Sequence, residues 1–123
     1  EKIVCFDGDG AVLMHMGSLP IIGQSGCTNF LHIVFNNGVH DSVGGQPTVS
    51  KNIDLPKIAI ACGYSSALTV STQQSLIDAL DKATNIHGPN FIEVIIDPGN
   101  RADVGRPTTT PKYNKQALMK SLG

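Results

Sequence analysis

Two stretches decide the fold: Ile3-Val-Cys-Phe-Asp-Gly-Asp-Gly10 and Phe30-Leu-His-Ile-Val-Phe-Asn-Asn-Gly38. Each opens as a continuous apolar run and closes abruptly in small or polar residues, as a strand buried on both faces does when it runs into a turn. A third run of the same kind, Phe91-Ile-Glu-Val-Ile-Ile96, lies near the end of the chain, and Ala67-Leu-Thr-Val70 is a shorter one. What lies between these runs is helical in pattern. Ala11 to Gln24 reads as a turn leading into a short helix, with Pro20 tolerated if the helix begins just before it. Asp54 to Cys62 reads as a helix capped by Asp54, with Pro56 in its first turn and Gly63 as its stop. Ser71 with Gln74 three residues later marks the start of a further helix. Leu76, Ile77, Leu80, Ala83 and Thr84 share one face of it, and Gly88-Pro89 ends it. A last short helix is expected at about Asn114 to Leu122, and Asn36 to Asn52 is expected to be a long, Gly-rich loop.

Strands alternating with helices give an α/β domain with a mainly parallel sheet flanked by helices and joined by right-handed crossovers. Ligands of such sheets sit beyond the carboxyl ends of the strands. That singles out Asp7-Gly-Asp-Gly10 and Asn36-Asn-Gly38, which open on one edge if their strands are parallel neighbours.

Composition bounds the rest. A chain of 123 residues is a single domain, 1–123. Nine basic and ten acidic residues leave no electrostatic footprint for nucleic acid or an anionic membrane. No apolar run nears the roughly 20 residues that span a bilayer. Cys5, Cys27 and Cys62 are an odd set without CxxC spacing, so neither a disulfide framework nor a cysteine metal site is expected, and a cytoplasmic location is the simplest. Only 15% of residues are charged, against roughly 25% in an ordinary soluble domain, which implies that some surface meets protein in place of water. The chain lacks an initiator Met and enters a strand almost at once, as a piece of a longer protein would.

The two turns carry the chemistry. Gly8-Asp9-Gly10 offers a carboxylate between two residues without Cβ, where backbone amides can approach a ligand closely. Asn36 and Asn37 offer neutral amide oxygens, with 25 residues separating Gly10 from Asn36. A hard divalent ion such as Mg²⁺ takes one or two protein oxygens together with phosphate oxygens and water. One carboxylate, one amide oxygen and one backbone carbonyl on adjacent loops suit it, and amides at the start of a helix add an anion site.

With these residues in place, the sequence resembles the thiamine diphosphate enzymes, whose metal-and-diphosphate motif is a GDG followed about 25 residues later by NN at the end of an apolar strand. The stretches 8–19, 36–48 and 106–111 are similar to those of phosphonopyruvate decarboxylases, with sulfopyruvate decarboxylases as close relatives. The resemblance implies the thiamine diphosphate-binding fold, in its diphosphate-binding domain, as the C-terminal part of a longer chain. It implies Mg²⁺ ligation by Asp9, Asn37 and the Val39 carbonyl. The Gly10 and Ala11 amides would lie near the diphosphate, Gly8 would be a further cofactor-binding residue, and Asn36 would support the loop. His40, just beyond the ligands, is the candidate for proton transfer or substrate contact. The implied reaction is decarboxylation of a small 2-oxo acid, 3-phosphonopyruvate to phosphonoacetaldehyde and CO₂. The glutamate that activates the cofactor belongs, in this family, to a pyrimidine-binding domain of the same or another subunit, so a homo-oligomer is expected with an apolar interface around the two turns.

Two other readings compete. Asp7 and Asp9 resemble the Asp-x-Asp turn of haloacid-dehalogenase-type phosphatases, as nucleophile and general acid/base. That reading leaves the double Asn unexplained and finds only Asp97 where an acidic pair is needed. A non-catalytic partner domain is the third. Arg101 and Arg106 suit an anionic substrate group but default to surface arginines.

Overall fold

The computed structural model describes residues 1–99 and 101–123. Four strands form one all-parallel sheet: β1 (Ile3–Gly8), β2 (Phe30–Asn36), β5 (Ser66–Val70) and β6 (Asn90–Ile95), in the order β1-β2-β6-β5. Helices α1 (Asp9–Met14), α2 (Ser18–Gln24), α3 (Leu55–Cys62) and α4 (Gln73–Asn85) make the crossovers, and α5 (Pro111–Ser121) ends the chain.

The period of two along the central strands sorts the core into two layers. Val34 and Phe91 point to one face, where Val12, Leu19, Leu55, Ala59 and Tyr64 cover them. Leu31, Ile33, Ile92 and Val94 point to the other, beneath Ala79 and Ala83 of α4 with Leu76 and Leu80 at the margin. Ala79 and Ala83 of α4 are buried, whereas Ile77 and Thr84, grouped with the same face from the sequence, are exposed.

Several expectations shift in detail. β2 and β6 are buried on both faces, but β1 is an edge strand: it pairs with β2 alone, and Ile3, Val4 and Phe6 are exposed. The capping box of α4 lies one residue later than expected. The Thr72 hydroxyl accepts from the Ser75 amide at 3.1 Å, and the Ser75 hydroxyl accepts from the Thr72 amide, so a serine does what Gln74 was expected to do. α5 begins at Pro111, capped by Thr110. Asp54 caps α3 as expected, accepting from the Lys57 amide at 2.9 Å, and Gly63 ends it at φ 103°.

The largest departure is 36–52, which is not a plain loop. It folds into a hairpin of β3 (Val39–His40) with β4 (Gln46–Pro47), with a 3₁₀ turn at Asp41–Val43 inside the hairpin and another at Ser50–Asn52 after it. Gly44 and Gly45 close the hairpin at φ 116° and 75°, a region that glycine alone enters without strain.

Candidate functional site: the cleft at the carboxyl edge of β1 and β2

Register brings the two turns together. Gly8 pairs with Phe35, so Asp9 and Asn37 leave adjacent strands at the same edge of the sheet. Between them lies a cleft of about 490 Å³. Gly8, Asp9, Gly10 and Ala11 line it from the β1 side, and Asn37, Val39 and His40 from the β2 side. Seven of the eight residues singled out from the sequence therefore meet in one place.

Asn36 is the exception. It is buried below the turn and occupied internally: Nδ2 donates to Glu93 Oε1 at 2.7 Å, while Oδ1 accepts from the Gly38 amide at 3.0 Å and the Ser50 hydroxyl at 2.8 Å. It holds the loop that presents Asn37.

Asn37 has its orientation settled by its partners. Nδ2 donates to Asp41 Oδ2 at 2.8 Å, and Oδ1 accepts from the Val39 amide at 3.0 Å. An amide oxygen has two lone pairs, so one is left for a ligand. Asp41 also accepts from the Gly99 amide at 2.9 Å, which ties the segment after β6 to this loop. Asp9 is only 2% exposed, and the Thr48 hydroxyl donates to its Oδ2 at 2.6 Å. Among the described residues no Lys, Arg or His nitrogen lies within 4.0 Å of it. A buried carboxylate without a cation is costly, and a metal ion is the usual remedy. The side-chain oxygens of Asp9 and Asn37 both belong to the cleft lining, a pair low in charge that suits an ion such as Mg²⁺ holding phosphates.

Gly10 and His40 meet across the cleft. A Cβ on residue 10 would fall 2.5 Å from His40 Nδ1, so the ring occupies space that only glycine leaves open. Asp7 lines the cleft as well, with its carboxylate engaged by neighbouring groups. Its Oδ1 accepts from the Gly8 amide at 3.0 Å, and its Oδ2 is 3.5 Å from His32 Nε2. His32 is buried, with Nδ1 3.1 Å from the Tyr64 hydroxyl, and burial pushes its pKa below the ordinary value despite the opposing pull of Asp7. Burial likewise pushes the Tyr64 phenol well above its usual range.

Residues 1–94 match the family described as thiamine pyrophosphate enzyme, C-terminal TPP binding domain. The chain belongs to this family. It is 45% identical over 111 residues to a phosphonopyruvate decarboxylase of Streptomyces viridochromogenes, covering 90% of this chain and 28% of that protein. Sulfopyruvate decarboxylase subunit beta of Methanococcus maripaludis is 38% identical over 122 residues, 99% of this chain and 65% of the relative. Among solved structures, a Mycobacterium smegmatis protein provisionally identified as a thiamin diphosphate-dependent enzyme superposes with a TM-score of 0.64 at 22% identity. That match covers 80% of this chain and 18% of the other. The chain thus spans under a third of the Streptomyces viridochromogenes decarboxylase.

Membership in the thiamine pyrophosphate enzyme family removes the phosphatase reading. The expected apolar surface is present at the turns: Phe6, 66% exposed and stacked on Phe35 at 5.9 Å between centroids, and Ile96, 42% exposed, flank the cleft. Arg101 pairs with Asp103 at 2.6 Å on the surface. Cys5, Cys27 and Cys62 are free thiols. No helix among the described residues is long and apolar enough to cross a membrane.

Sequence reasoning missed the residues behind the site. Thr48 and Ser50 carry no local signal, because only the hairpin returns them to Asp9 and Asn36. Glu93 did carry one, as the lone charge inside an otherwise apolar strand. It is 6% exposed and accepts from Asn36 and from the Thr69 hydroxyl at 2.6 Å.

Proposed function

We propose that this chain is the diphosphate-binding domain of a thiamine diphosphate- and Mg²⁺-dependent carboxy-lyase that decarboxylates 3-phosphonopyruvate to phosphonoacetaldehyde and CO₂. The observation that carries the reading is the pair of oxygen donors, Asp9 and Asn37, lining one cleft on adjacent turns. The 45% identity to a phosphonopyruvate decarboxylase supports the choice of substrate.

In this reading the Asp9 carboxylate, the free lone pair of Asn37 Oδ1 and the Val39 carbonyl hold Mg²⁺. Gly8, Gly10 and Ala11 lie along the diphosphate, where the lack of a Cβ at residues 8 and 10 keeps the backbone accessible. His40, against Gly10 at the cleft wall, exchanges a proton with, or contacts, the substrate. Bound there, the cofactor supplies the electron sink that allows a 2-oxo acid to lose CO₂. The chain's own part is to anchor and orient it. A pyrimidine-binding domain, from the same or another subunit, completes the site over the Phe6–Ile96 surface. Relatives named as a beta subunit support such a partnership. The enzyme is a cytoplasmic homo-oligomer.

Calorimetric titration of the assembled protein with thiamine diphosphate and Mg²⁺ tests this. Binding is expected for the unsubstituted protein and lost in Asp9→Ala and Asn37→Ala. Binding unaffected by both substitutions overturns the site. Faster turnover of 3-sulfopyruvate than of 3-phosphonopyruvate overturns the substrate.

A further inference from the structure

We propose that Thr48 is a positioning residue for the metal-binding carboxylate of Asp9, joining the two motif turns through one side chain and its own amide. The inference rests on the Mg²⁺ site proposed above. Thr48 follows β4, ten residues after Gly38 and 39 residues after Asp9. Its amide donates to the Gly38 carbonyl at 2.9 Å, which fixes it to the loop that presents Asn37. Its hydroxyl donates to Asp9 Oδ2 at 2.6 Å, which fixes the acid of the other turn. One residue therefore ties together the two turns that carry the donors.

A count of hydrogens shows why nothing else replaces it. Thr48 Oγ1 also lies 2.7 Å from Ser50 Oγ, and Ser50 Oγ lies 2.8 Å from Asn36 Oδ1. That Asn36 atom is an oxygen, since it accepts from the Gly38 amide while Nδ2 faces Glu93. Acceptors thus close both ends of the chain, and two hydroxyl hydrogens serve three short contacts. The Asp9 link takes one of them, because a hydrogen bond to an ionised carboxylate is about twice as strong as a neutral one. Asn36 Oδ1 has the Gly38 amide in reserve, whereas no other side chain among the described residues donates to Asp9. Without the Thr48 hydroxyl, a carboxylate 2% exposed loses the donor that holds one oxygen and leaves the other for a cation.

The test is Mn²⁺ binding, read by electron paramagnetic resonance of the free ion in the presence of thiamine diphosphate, on the assembled protein. Removing a group that orients a metal ligand typically weakens the metal by about 10- to 100-fold, and that loss is expected of Thr48→Val. Thr48→Ser, which keeps the hydroxyl, is expected to bind as the unsubstituted protein does. A role in packing alone predicts the reverse order, since valine keeps the volume and serine does not. If Thr48→Val fails to fold, Thr48→Ala against Thr48→Ser makes the same comparison. Mn²⁺ bound by the unsubstituted protein and equally by Thr48→Val overturns the inference and leaves the site standing. No Mn²⁺ bound by the unsubstituted protein overturns the site, and the inference with it.

Discussion

Replacing Glu93 by glutamine and by leucine separates two reasons for burying a carboxylate. Glu93 is 6% exposed, and no Lys, Arg or His nitrogen among the described residues lies within 4.0 Å of it. Its oxygens accept from Asn36 Nδ2 at 2.7 Å and from Thr69 Oγ1 at 2.6 Å. Asn36 is buried and its amide hydrogen has nowhere else to go, so Glu93→Leu leaves an orphaned donor costing about 1–3 kcal/mol. Thr69 is exposed, so its hydroxyl turns to water at little cost. Glutamine behaves differently. Its oxygen accepts from Asn36, and its amide group donates to the Thr69 hydroxyl, which can accept as readily as it donates. Glu93→Gln also removes an unpaired buried charge, so its net effect lies within about 1 kcal/mol of zero. At roughly 4 °C per kcal/mol for a chain of this size, leucine lowers Tm by about 4–12 °C, and glutamine moves it by less than about 4 °C. Urea unfolding by linear extrapolation, with thermal melts alongside, reads both. Equal destabilisation by the two variants would refute the reasoning, because the charge itself would then be stabilising. A neutral leucine variant would show that Asn36 finds another acceptor.

Gly10→Ala places a Cβ 2.5 Å from His40 Nδ1, a clash expected to cost about 1–3 kcal/mol, and His40→Ala relieves it. In a double-mutant cycle by thermal melt the pair is expected to be less destabilised than the sum of the singles; simple additivity would remove His40 from the cleft wall. His32 predicts a pH effect. Burial holds its folded pKa below 6.5, so the unfolded chain takes up a proton first as pH falls. Its share of the stability is therefore constant above about pH 7 and is lost as pH drops through the window below 6.5, by at most about 1.4 kcal/mol per pH unit. Asp7 and Tyr64 face the ring on either side and remain in His32→Gln, which is expected to flatten that part of the curve. An unchanged slope in His32→Gln would assign the effect to another group.

Local rules were enough for the strands, for the Asp54 cap of α3 and for the Gly63 stop, because each depends on residues within one turn of the chain. Asp9 and Asn37 were legible for a similar reason. Each follows the carboxyl end of an apolar strand, and parallel pairing of β1 with β2 brings the two ends to one edge. The sequence alone therefore determined the parallel α/β architecture and the edge of the sheet at which Asp9 and Asn37 meet. It did not determine which strand is an edge. Val4 and Phe6 are as apolar as the residues of β2, and their exposure follows from the sheet order β1-β2-β6-β5. Nor did it show what holds the donors in place. Thr48 reaches Asp9, Ser50 reaches Asn36 and Glu93 reaches both Asn36 and Thr69 across separations of 14 to 57 residues. Contacts at such range leave no periodicity along the chain. They exist only once the hairpin and the β2–β6 pairing have closed over the turns, because a buried polar group must find its partner wherever the packing puts it.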